Sequence, residues 1–165
     1  MENTSIRPAT NADAASIAGI YNHYVENTSI SFEESAVSAH SMVGRIGDVT
    51  AASLPWLVAE RDEQVVGYAY ATQWKTRGAY RFSAECTVYL APGVVGAGLG
   101  SELYAALFTE LRSRQLHVAI GCIALPNAAS VALHEKMGMT QVAHFKEVGY
   151  KFGRWIDIGY WQCAL

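Results

Sequence analysis

The chain has 165 residues, of which 51% are hydrophobic and 16% are charged, and its formal net charge is −3. This composition indicates one folded domain with a sizeable core and excludes a disordered chain. The negative charge excludes a general attraction to nucleic acid, and no segment reaches the ~18 apolar residues of a membrane span. The cysteines, Cys86, Cys122 and Cys163, lie in apolar stretches without a CxxC spacing. We therefore predict buried thiols, no metal site and a cytoplasmic location.

The N-terminal half is predicted to contain two helices and a hairpin. A short strand, "SIRPAT", precedes a helix that Thr10 or Asn11 caps, and the polar stretch "NTSISFEES" is predicted to be a loop or a bent segment. A weaker helix is expected over roughly Ala36 to Ile46. The stretch "WLVAERDEQVVGYAYATQW" has two β-rich runs around turn residues, which is typical of a hairpin.

The C-terminal half alternates strands and helices. The strand "YRFSAECTVYL" is followed by a glycine-rich loop and then by a helix whose leucines recur every four residues from Leu99. The apolar run "HVAIGCIAL" predicts a strand covered on both faces. Pro126 and Asn127 open a second helix that continues through Lys136 and is closed by Gly138. Two final strands flank "YKFGRW". This order predicts an α+β fold, mostly antiparallel, with one βαβ-like unit in a single domain over residues 1–165.

The glycine-rich loop "VVGAGLGS" spans residues 94–101. A phosphate-binding P-loop is excluded because no Lys or Arg lies between Leu90 and Ser101. A dinucleotide fingerprint requires GxGxxG after a strand of a parallel sheet, whereas this loop reads GxGxG after an antiparallel meander. Two interpretations are left, a tight strand-to-helix turn or a run of free amides that binds anionic oxygens at a helix N-terminus.

The strand, glycine loop, helix, apolar strand and "LPNAASVALHEKMGM" together resemble the acetyl-CoA site of the GNAT acyltransferase superfamily. The superfamily loop Q/R-x-x-G-x-G/A aligns with residues 95–100, and Val95 replaces the usual polar or basic residue. The superfamily helix N-x-x-A-x-x-L-Y-E-K-x-G-F aligns with residues 127–139, where Ser130 replaces Ala, His134 replaces Tyr and Met139 replaces Phe.

Longer stretches resemble one subfamily, the phosphinothricin N-acetyltransferases, which includes acetyltransferases for methionine sulfoximine and related toxic amino acids. These stretches are "TSISFE", "WKTRGAYRFSAECTVYL", "GLGSELY", "LPNAASVALHEKMG" and "GYKFGRWIDIGYWQ". The resemblance implies a GNAT-type sheet with splayed central strands and about four flanking helices. It also implies acetyl-CoA as co-substrate, a small amino-acid substrate and a homodimer.

The resemblance further implies three groups of acetyl-CoA contacts: a strand end, the glycine loop and the following helix start. The residues are Val88, Tyr89, Leu90, Val95, Gly96, Ala97, Gly98, Leu99, Gly100, Ser101, Asn127 and Ser130. Asn127 is also a candidate N-cap of its helix, and both roles can coexist.

Two residues are candidates for proton transfer. Glu85 lies among apolar neighbours on the strand that leads to the acetyl site, where a raised pKa would make it a base for the amine; a structural salt bridge is the alternative. His134 stands where many relatives carry the Tyr that protonates the leaving thiolate, so it could donate or accept a proton, or be purely structural.

The substrate contacts are predicted from charge and resemblance. Lys75 and Arg77, expected on an extended strand end, would clamp the acidic groups of the substrate, unless they are an ordinary exposed pair. Phe32 and Tyr80 would form the wall of the pocket.

We therefore expect an N-acetyltransferase that modifies the α-amine of a glutamate-mimic amino acid such as phosphinothricin, methionine sulfoximine or sulfone, or arsinothricin, and confers resistance. The substituted Val95 and His134 motivate one alternative, a non-catalytic acyl-CoA-binding domain. A different amine acceptor, such as a protein N-terminus or a polyamine, is another. A polyamine would prefer an acidic pocket, which Lys75 and Arg77 disfavour.

Overall fold

The fold was obtained as a computed structural model that describes residues 4–94 and 96–165. The strands are β1 (Thr4–Pro8), β2 (Trp56–Arg61), β3 (Gln64–Gln73), β4 (Ser83–Leu90), β5 (Val118–Leu125), β6 (Thr140–Lys151) and β7 (Arg154–Ala164). The α-helices are α1 (Ala14–Asn27), α2 (Ala39–Ala51), α3 (Leu99–Ser113) and α4 (Ala128–Lys136). Short 3-10 turns cover Asn11–Asp13 and Gly78–Tyr80.

The strands form one sheet in the order β1-β2-β3-β4-β5-β7-β6. Neighbouring strands are antiparallel except for β4 and β5, which are parallel and are connected through α3. A parallel pair needs such a crossover, whereas the antiparallel pairs do not. The predicted α+β fold, with a mostly antiparallel sheet and one βαβ unit, is confirmed.

The helices cover opposite faces of the sheet. On β3, Tyr68 packs against Tyr89, and Tyr89 contacts Tyr21 and Tyr24 of α1. A Cβ on the preceding residue, Gly67, would instead meet a side chain of α3. Successive residues of a strand point to opposite faces, so α1 and α3 lie on different sides. The buried leucines of α3 fill the second side: Leu99, Leu103, Leu107 and Leu111.

The centre of the sheet is forked. The β4–β5 ladder covers only Ser83–Glu85 opposite Val118–Ile120, and the two strands carry no further pairs. The carbonyls of Cys86 and Leu90 accept hydrogen bonds from side chains instead of from β5. Peptide groups at alternate positions of a strand face the same edge, so the N–H and C=O of Val88 also face this gap. The splayed central strands therefore open a cleft inside the sheet.

Local details differ from the sequence prediction. Helix α2 begins at Ala39 because the Ser38 hydroxyl accepts a hydrogen bond from the Ser41 amide and caps it there. The strand expected over "YRFSAECTVYL" begins only at Ser83, because residues 78–80 form a 3-10 turn. The prediction that all three cysteines are buried holds for Cys86, whereas Cys163 is half-buried and Cys122 is exposed.

No helix within the described ranges is both long and apolar enough to span a membrane.

Candidate active site

Two adjoining cavities lie in the gap between β4 and β5. The wide cavity has a volume of about 440 Å³ and extends to the glycine loop and α4. The narrow cavity has a volume of about 60 Å³ and extends to Cys86, Tyr104 and His134. Both are lined by the same central residues, Ile30, Val88, Tyr89, Asn127 and Ser130. They therefore form one continuous cleft through the fork of the sheet, and we call it the fork cleft.

The glycine loop places backbone amides at the wide end of the fork cleft. Gly96 and Gly98 have φ angles of 93° and 83°, in the left-handed region that side chains disfavour. Gly98 caps α3, and its carbonyl accepts from the amides of Ser101 and Glu102. The amides of residues 96–100 donate to no residue in the described part of the chain. This arrangement suits a cluster of anionic oxygens at a helix N-terminus.

The side chains of the loop contribute less than its backbone. Leu99 is buried in the core, so only its amide is available to a ligand. Gly100 lets α3 approach α4, because a Cβ there would be 3.2 Å from Leu133 Cδ2. Gly98, Gly100 and Ser101 line the wide cavity, whereas Ala97 is exposed at its edge. Val95 lies outside the described residues.

Helix α4 borders both ends of the fork cleft. The Asn127 side-chain oxygen accepts a hydrogen bond of 3.1 Å from the Ser130 amide, which caps the helix. Lys136, at the last turn, lines the wide cavity and adds a cation that the sequence analysis did not assign. The signal for Lys136 was present in the "HEKMG" stretch, since the superfamily helix carries a Lys at this place.

Glu85 is the last residue of β4 that pairs with β5, so it marks the point of the fork. Its side chain is half-buried. Burial raises the pKa of Glu85, and the positive charge of Lys75 partly offsets this. A carboxylate with a raised pKa is better matched to accepting a proton near neutrality.

His134 lies at the narrow end of the fork cleft and is only 3% exposed. Its Nδ1 is 2.7 Å from the Ser130 carbonyl oxygen, which can only accept, so Nδ1 carries the proton. In the neutral ring Nε2 then has a free lone pair, and it lies 3.0 Å from the Tyr104 hydroxyl, whose single proton is shared between Nε2 and the Cys86 carbonyl. Burial lowers the pKa of His134, while the Ser130 carbonyl raises it. The ring is thus held as one neutral tautomer.

Tyr104 and Gly121 hold this ring from both sides, and the sequence analysis missed both. The Tyr104 hydroxyl is 3.2 Å from the Cys86 carbonyl and is buried in the core. Gly121 lies against the imidazole, because a Cβ there would stand closer than 3.0 Å to His134 Cδ2 and Nε2. Neither position has a sequence signal, since Tyr104 belongs to a regular apolar helix stripe and Gly121 to an apolar strand.

The predicted substrate residues lie on two loops. Phe32 is in the loop between α1 and α2, and its ring packs on Gly149 of β6. Lys75 and Arg77 lie beyond the end of β3 and are exposed, so the expected extended strand end is wrong here. The 3-10 turn at Gly78–Tyr80 breaks the strand and presents Tyr80, which is 41% exposed. The positive charge of Lys75 lowers the pKa of Glu85, so this loop lies near enough to the fork to act on it electrostatically.

A hollow of about 540 Å³ beside α1 is lined by Arg7, Asp13 and Glu60. Its charges are already satisfied, because the Arg7 guanidinium bonds both carboxylates at 2.6–2.9 Å. This hollow is therefore a structural ion-pair network. In the described part of the chain, no group of three or more His, Cys, Asp or Glu side chains is arranged to hold a metal ion.

A sequence profile described as "Acetyltransferase (GNAT) domain" matches residues 6–159. The chain belongs to the GNAT acetyltransferase family. A phosphinothricin N-acetyltransferase from Alcaligenes faecalis is 42% identical over 93% of this chain and 78% of the relative. An L-methionine sulfoximine/L-methionine sulfone acetyltransferase from Salmonella typhimurium is 36% identical over 98% of this chain and 94% of the relative.

A solved GNAT structure has the same fold. The phosphinothricin acetyltransferase of Sinorhizobium meliloti, in complex with AcCoA, superposes with a TM-score of 0.95 at 34% identity and covers 98% of this chain and 88% of that one. The predicted family, fold class and enzyme class, an acetyltransferase, are therefore confirmed.

Proposed function

We propose that this GNAT enzyme transfers the acetyl group of acetyl-CoA to the α-amine of a small glutamate-mimic amino acid, of the phosphinothricin or methionine sulfoximine type. The observation that carries the proposal is the fork cleft, which runs from the backbone amides of the glycine loop to His134, with the half-buried Glu85 at the last β4–β5 pair next to it. The names of the relatives from Alcaligenes and Salmonella support the substrate class. Arsinothricin belongs to the same chemical class and stays a prediction.

The donor set at the wide end fits acetyl-CoA. The amides of residues 96–100 and the ammonium of Lys136 would hold the pyrophosphate, and these groups match its charge without a metal ion. The N–H and C=O of Val88 would pair with the pantetheine amides as a missing strand would. The bound thioester supplies the acetyl group for transfer.

Proton transfer is assigned to residues at the fork. Glu85 would accept a proton from the substrate ammonium, because its raised pKa lies closer to neutrality than that of an ordinary carboxyl. The Val88 amide would donate to the carbonyl oxygen that gains negative charge. His134, held neutral with Nε2 as acceptor, is suited to take up a proton at the narrow end; its predicted donor role requires that it first gain one.

The acceptor pocket would lie on the open side of the fork. Lys75 and Arg77 are exposed cations beside it, and they complement a carboxylate and a tetrahedral oxyanion. Phe32 and Tyr80 would provide its walls. An acidic amino acid fits these charges better than a polyamine does.

A homodimer is proposed on an exposed apolar surface at the β6–β7 edge of the sheet. Its residues are 48–65% exposed: Val142, Phe145, Val148, Tyr150, Phe152 and Trp155. Exposed apolar side chains in this number at one edge of a sheet are typical of an interface and rare on a monomer. Sedimentation analysis of the wild type and of Trp155→Glu tests this, since a chain that is monomeric in both forms would contradict the dimer.

Two expectations from the sequence stay predictions. A single domain over residues 1–165 is supported by one sheet that runs from Thr4 to Ala164. A cytoplasmic location is supported only by three cysteines that are all free thiols.

A thiol-release assay tests the activity. Acetyl-CoA is combined with phosphinothricin, methionine sulfoximine, methionine sulfone, arsinothricin, a polyamine and an N-terminal peptide, and the acceptors are ranked by kcat/KM. We expect the acidic amino acids to rank first and Glu85→Ala to lose most of the turnover. Acetyl-CoA binding by calorimetry without turnover of any acceptor would instead support the non-catalytic alternative.

A further inference from the structure

The stretch "GYKFGRW" contains a buried cation with no role so far. Lys151 ends β6 and is only 3% exposed. Its Nζ donates hydrogen bonds of 2.7 Å to the carbonyl oxygens of Val25 and Ser31, and it lies 5.0 Å from the centre of the Phe152 ring. Burial lowers the pKa of Lys151, and the more distant Glu34 and Glu33 raise it. A buried ammonium is costly unless its hydrogen bonds are made, and the bonds to Val25 and Ser31 offset this cost.

One of the two bonds completes the end of α1. Val25 is in the last turn of the helix, where carbonyls have no partner within the helix. The neighbouring Tyr24 carbonyl is satisfied by the amide and the hydroxyl of Thr28. The Lys151 ammonium satisfies Val25, and a cation at a helix C-terminus is also favoured by the helix dipole.

The other bond fixes the loop that follows. Ser31 is 4% exposed, and its hydroxyl is 2.7 Å from the Tyr21 hydroxyl. Because its carbonyl is held by Lys151, the backbone at residue 31 is anchored on both sides. The adjacent Ile30 and Phe32 are 41% and 42% exposed, and Ile30 lines both cavities of the fork cleft.

A second contact from the same strand supports Phe32. Gly149 is two residues before Lys151, so both face the same side of β6. A Cβ on Gly149 would be 2.5 Å from Phe32 Cζ, which means that the ring rests directly on the strand backbone. The end of β6 therefore forms the floor under residues 30–32.

We propose that Lys151 is a positioning residue for the acceptor amino acid: its ammonium ties the end of α1 and Ser31 to β6 and so holds Ile30 and Phe32 at the mouth of the fork cleft. The inference rests on the proposed function for the identity of the acceptor. The chemistry explains the residue type, because two carbonyl oxygens converge on a compact ammonium, whereas the larger planar guanidinium of Arg needs a different arrangement of acceptors.

The test compares Lys151→Met with Arg7→Met, a variant that also removes a hydrogen-bonded cation but at the far edge of the sheet. Both variants should unfold at a lower temperature than the wild type. Lys151→Met should also raise the KM of the acceptor roughly tenfold and the KM of acetyl-CoA by a clearly smaller factor, because Phe32 is placed at the acceptor pocket while Ile30 also lines the wide cavity. Arg7→Met should leave both constants close to those of the wild type. Equal changes in the two KM values, or the same kinetic pattern in both variants, would overturn the proposal.

Gly149→Ala provides a second route, because it displaces Phe32 and leaves Lys151 in place. It should raise the KM of the acceptor as Lys151→Met does, and a variant with wild-type acceptor KM would argue against the role of this floor. This measurement still applies where Lys151→Met fails to fold.

Hydrogen exchange separates this inference from the proposed function. In Lys151→Met, but not in Arg7→Met, amides 28–33 should exchange faster, whatever the acceptor is. Unchanged exchange would overturn the inference even where the wild type acetylates the predicted substrates. A wild type that acetylates none of the acceptors, combined with faster exchange in Lys151→Met, would overturn the proposed function alone.

Discussion

A methyl group added at Gly121 should disable the enzyme by moving one ring. The new Cβ would stand closer than 3.0 Å to two atoms of His134, whereas carbon atoms in contact normally lie about 3.5–4.0 Å apart. The imidazole must therefore move by at least about 0.5–1 Å. Such a shift changes the length and angle of the 3.0 Å hydrogen bond between Nε2 and the Tyr104 hydroxyl and so weakens it.

The expected cost follows from these two effects. Overpacking in a filled core costs about 1–3 kcal/mol, and the weakened hydrogen bond adds up to about 1 kcal/mol. Gly121→Ala should thus lower the melting temperature by about 5–15 °C for a domain of this size. Because His134 is proposed to take part in proton transfer, displacement of its imidazole by this distance should lower kcat/KM about 100-fold.

The matched control is Gly44→Ala on the exposed side of α2, where an added Cβ meets no atom within 4 Å. It should raise the free energy of unfolding by about 0.5–1 kcal/mol, because Ala is a better helix former than Gly, and leave turnover unchanged. Thermal unfolding and the thiol-release assay report the two quantities.

A double-mutant cycle decides whether the clash with His134 is the cause. In a His134→Ala background the ring is absent, so the additional destabilisation by Gly121→Ala should shrink to a small fraction. The reasoning is refuted if Gly121→Ala costs as much free energy without the imidazole as with it, or if the single variant retains wild-type stability and turnover.

Four further predictions concern charged and polar side chains. Glu85→Gln should lose turnover but unfold at a higher temperature than the wild type near neutrality. Burial raises the pKa of Glu85, so the folded wild type loses stability as the pH rises above 4.5, and the uncharged Gln avoids this loss. Equal stability of the two proteins at neutral pH would contradict this. Asp13→Asn should lower the free energy of unfolding by roughly 2 kcal/mol near neutrality, since hydrogen bonds from Arg7 lower the pKa of Asp13 from 3.8 to about 2. Unfolding measured as a function of pH should show that the difference in stability between the two proteins vanishes as the pH falls from 3.8 to about 2. Asn127→Ala should destabilise by about 1 kcal/mol through the lost cap and raise the KM of acetyl-CoA, whereas an unchanged KM would leave Asn127 a cap only. Lys136→Met should raise the KM of acetyl-CoA less at high salt than at low salt, and a salt-independent effect would argue against a phosphate contact.

The strands and helices were largely predictable because their signals are local. The leucine repeat of α3 and the apolar run of β5 follow directly from periodicity and burial. The start of β4 was missed because the 3-10 turn at Gly78–Tyr80 has no apolar pattern of its own. Helix α2 was displaced by three residues because the cap, Ser38, stands in a stretch with several polar candidates.

The candidate site was predictable only where a motif carries it. The glycine loop, Asn127 and His134 were found in this way, but the partners of His134 were not. Tyr104 and Gly121 act through contacts between α3, α4 and β5, and sequence spacing contains no information about which helix residue meets which strand residue. Nothing in the sequence distinguishes Lys151 from a surface Lys, because its two carbonyl partners lie more than 100 residues away along the chain.

The position of Glu85 explains why this sheet can be rigid and open in the same place. Glu85 pairs with Ile120 on one side and Thr72 on the other, so its backbone is fixed by two ladders. One residue later the pairing with β5 ends, and the Cys86 carbonyl already turns to Tyr104. A carboxylate further along β4 would have its backbone paired only with β3. A carboxylate earlier on β4 would lie where β4 and β5 are still paired. The fork therefore puts a desolvated carboxylate beside peptide groups of β4 that have no partner in β5, and the burial that costs stability is the same burial that raises the pKa for the proposed role as a base.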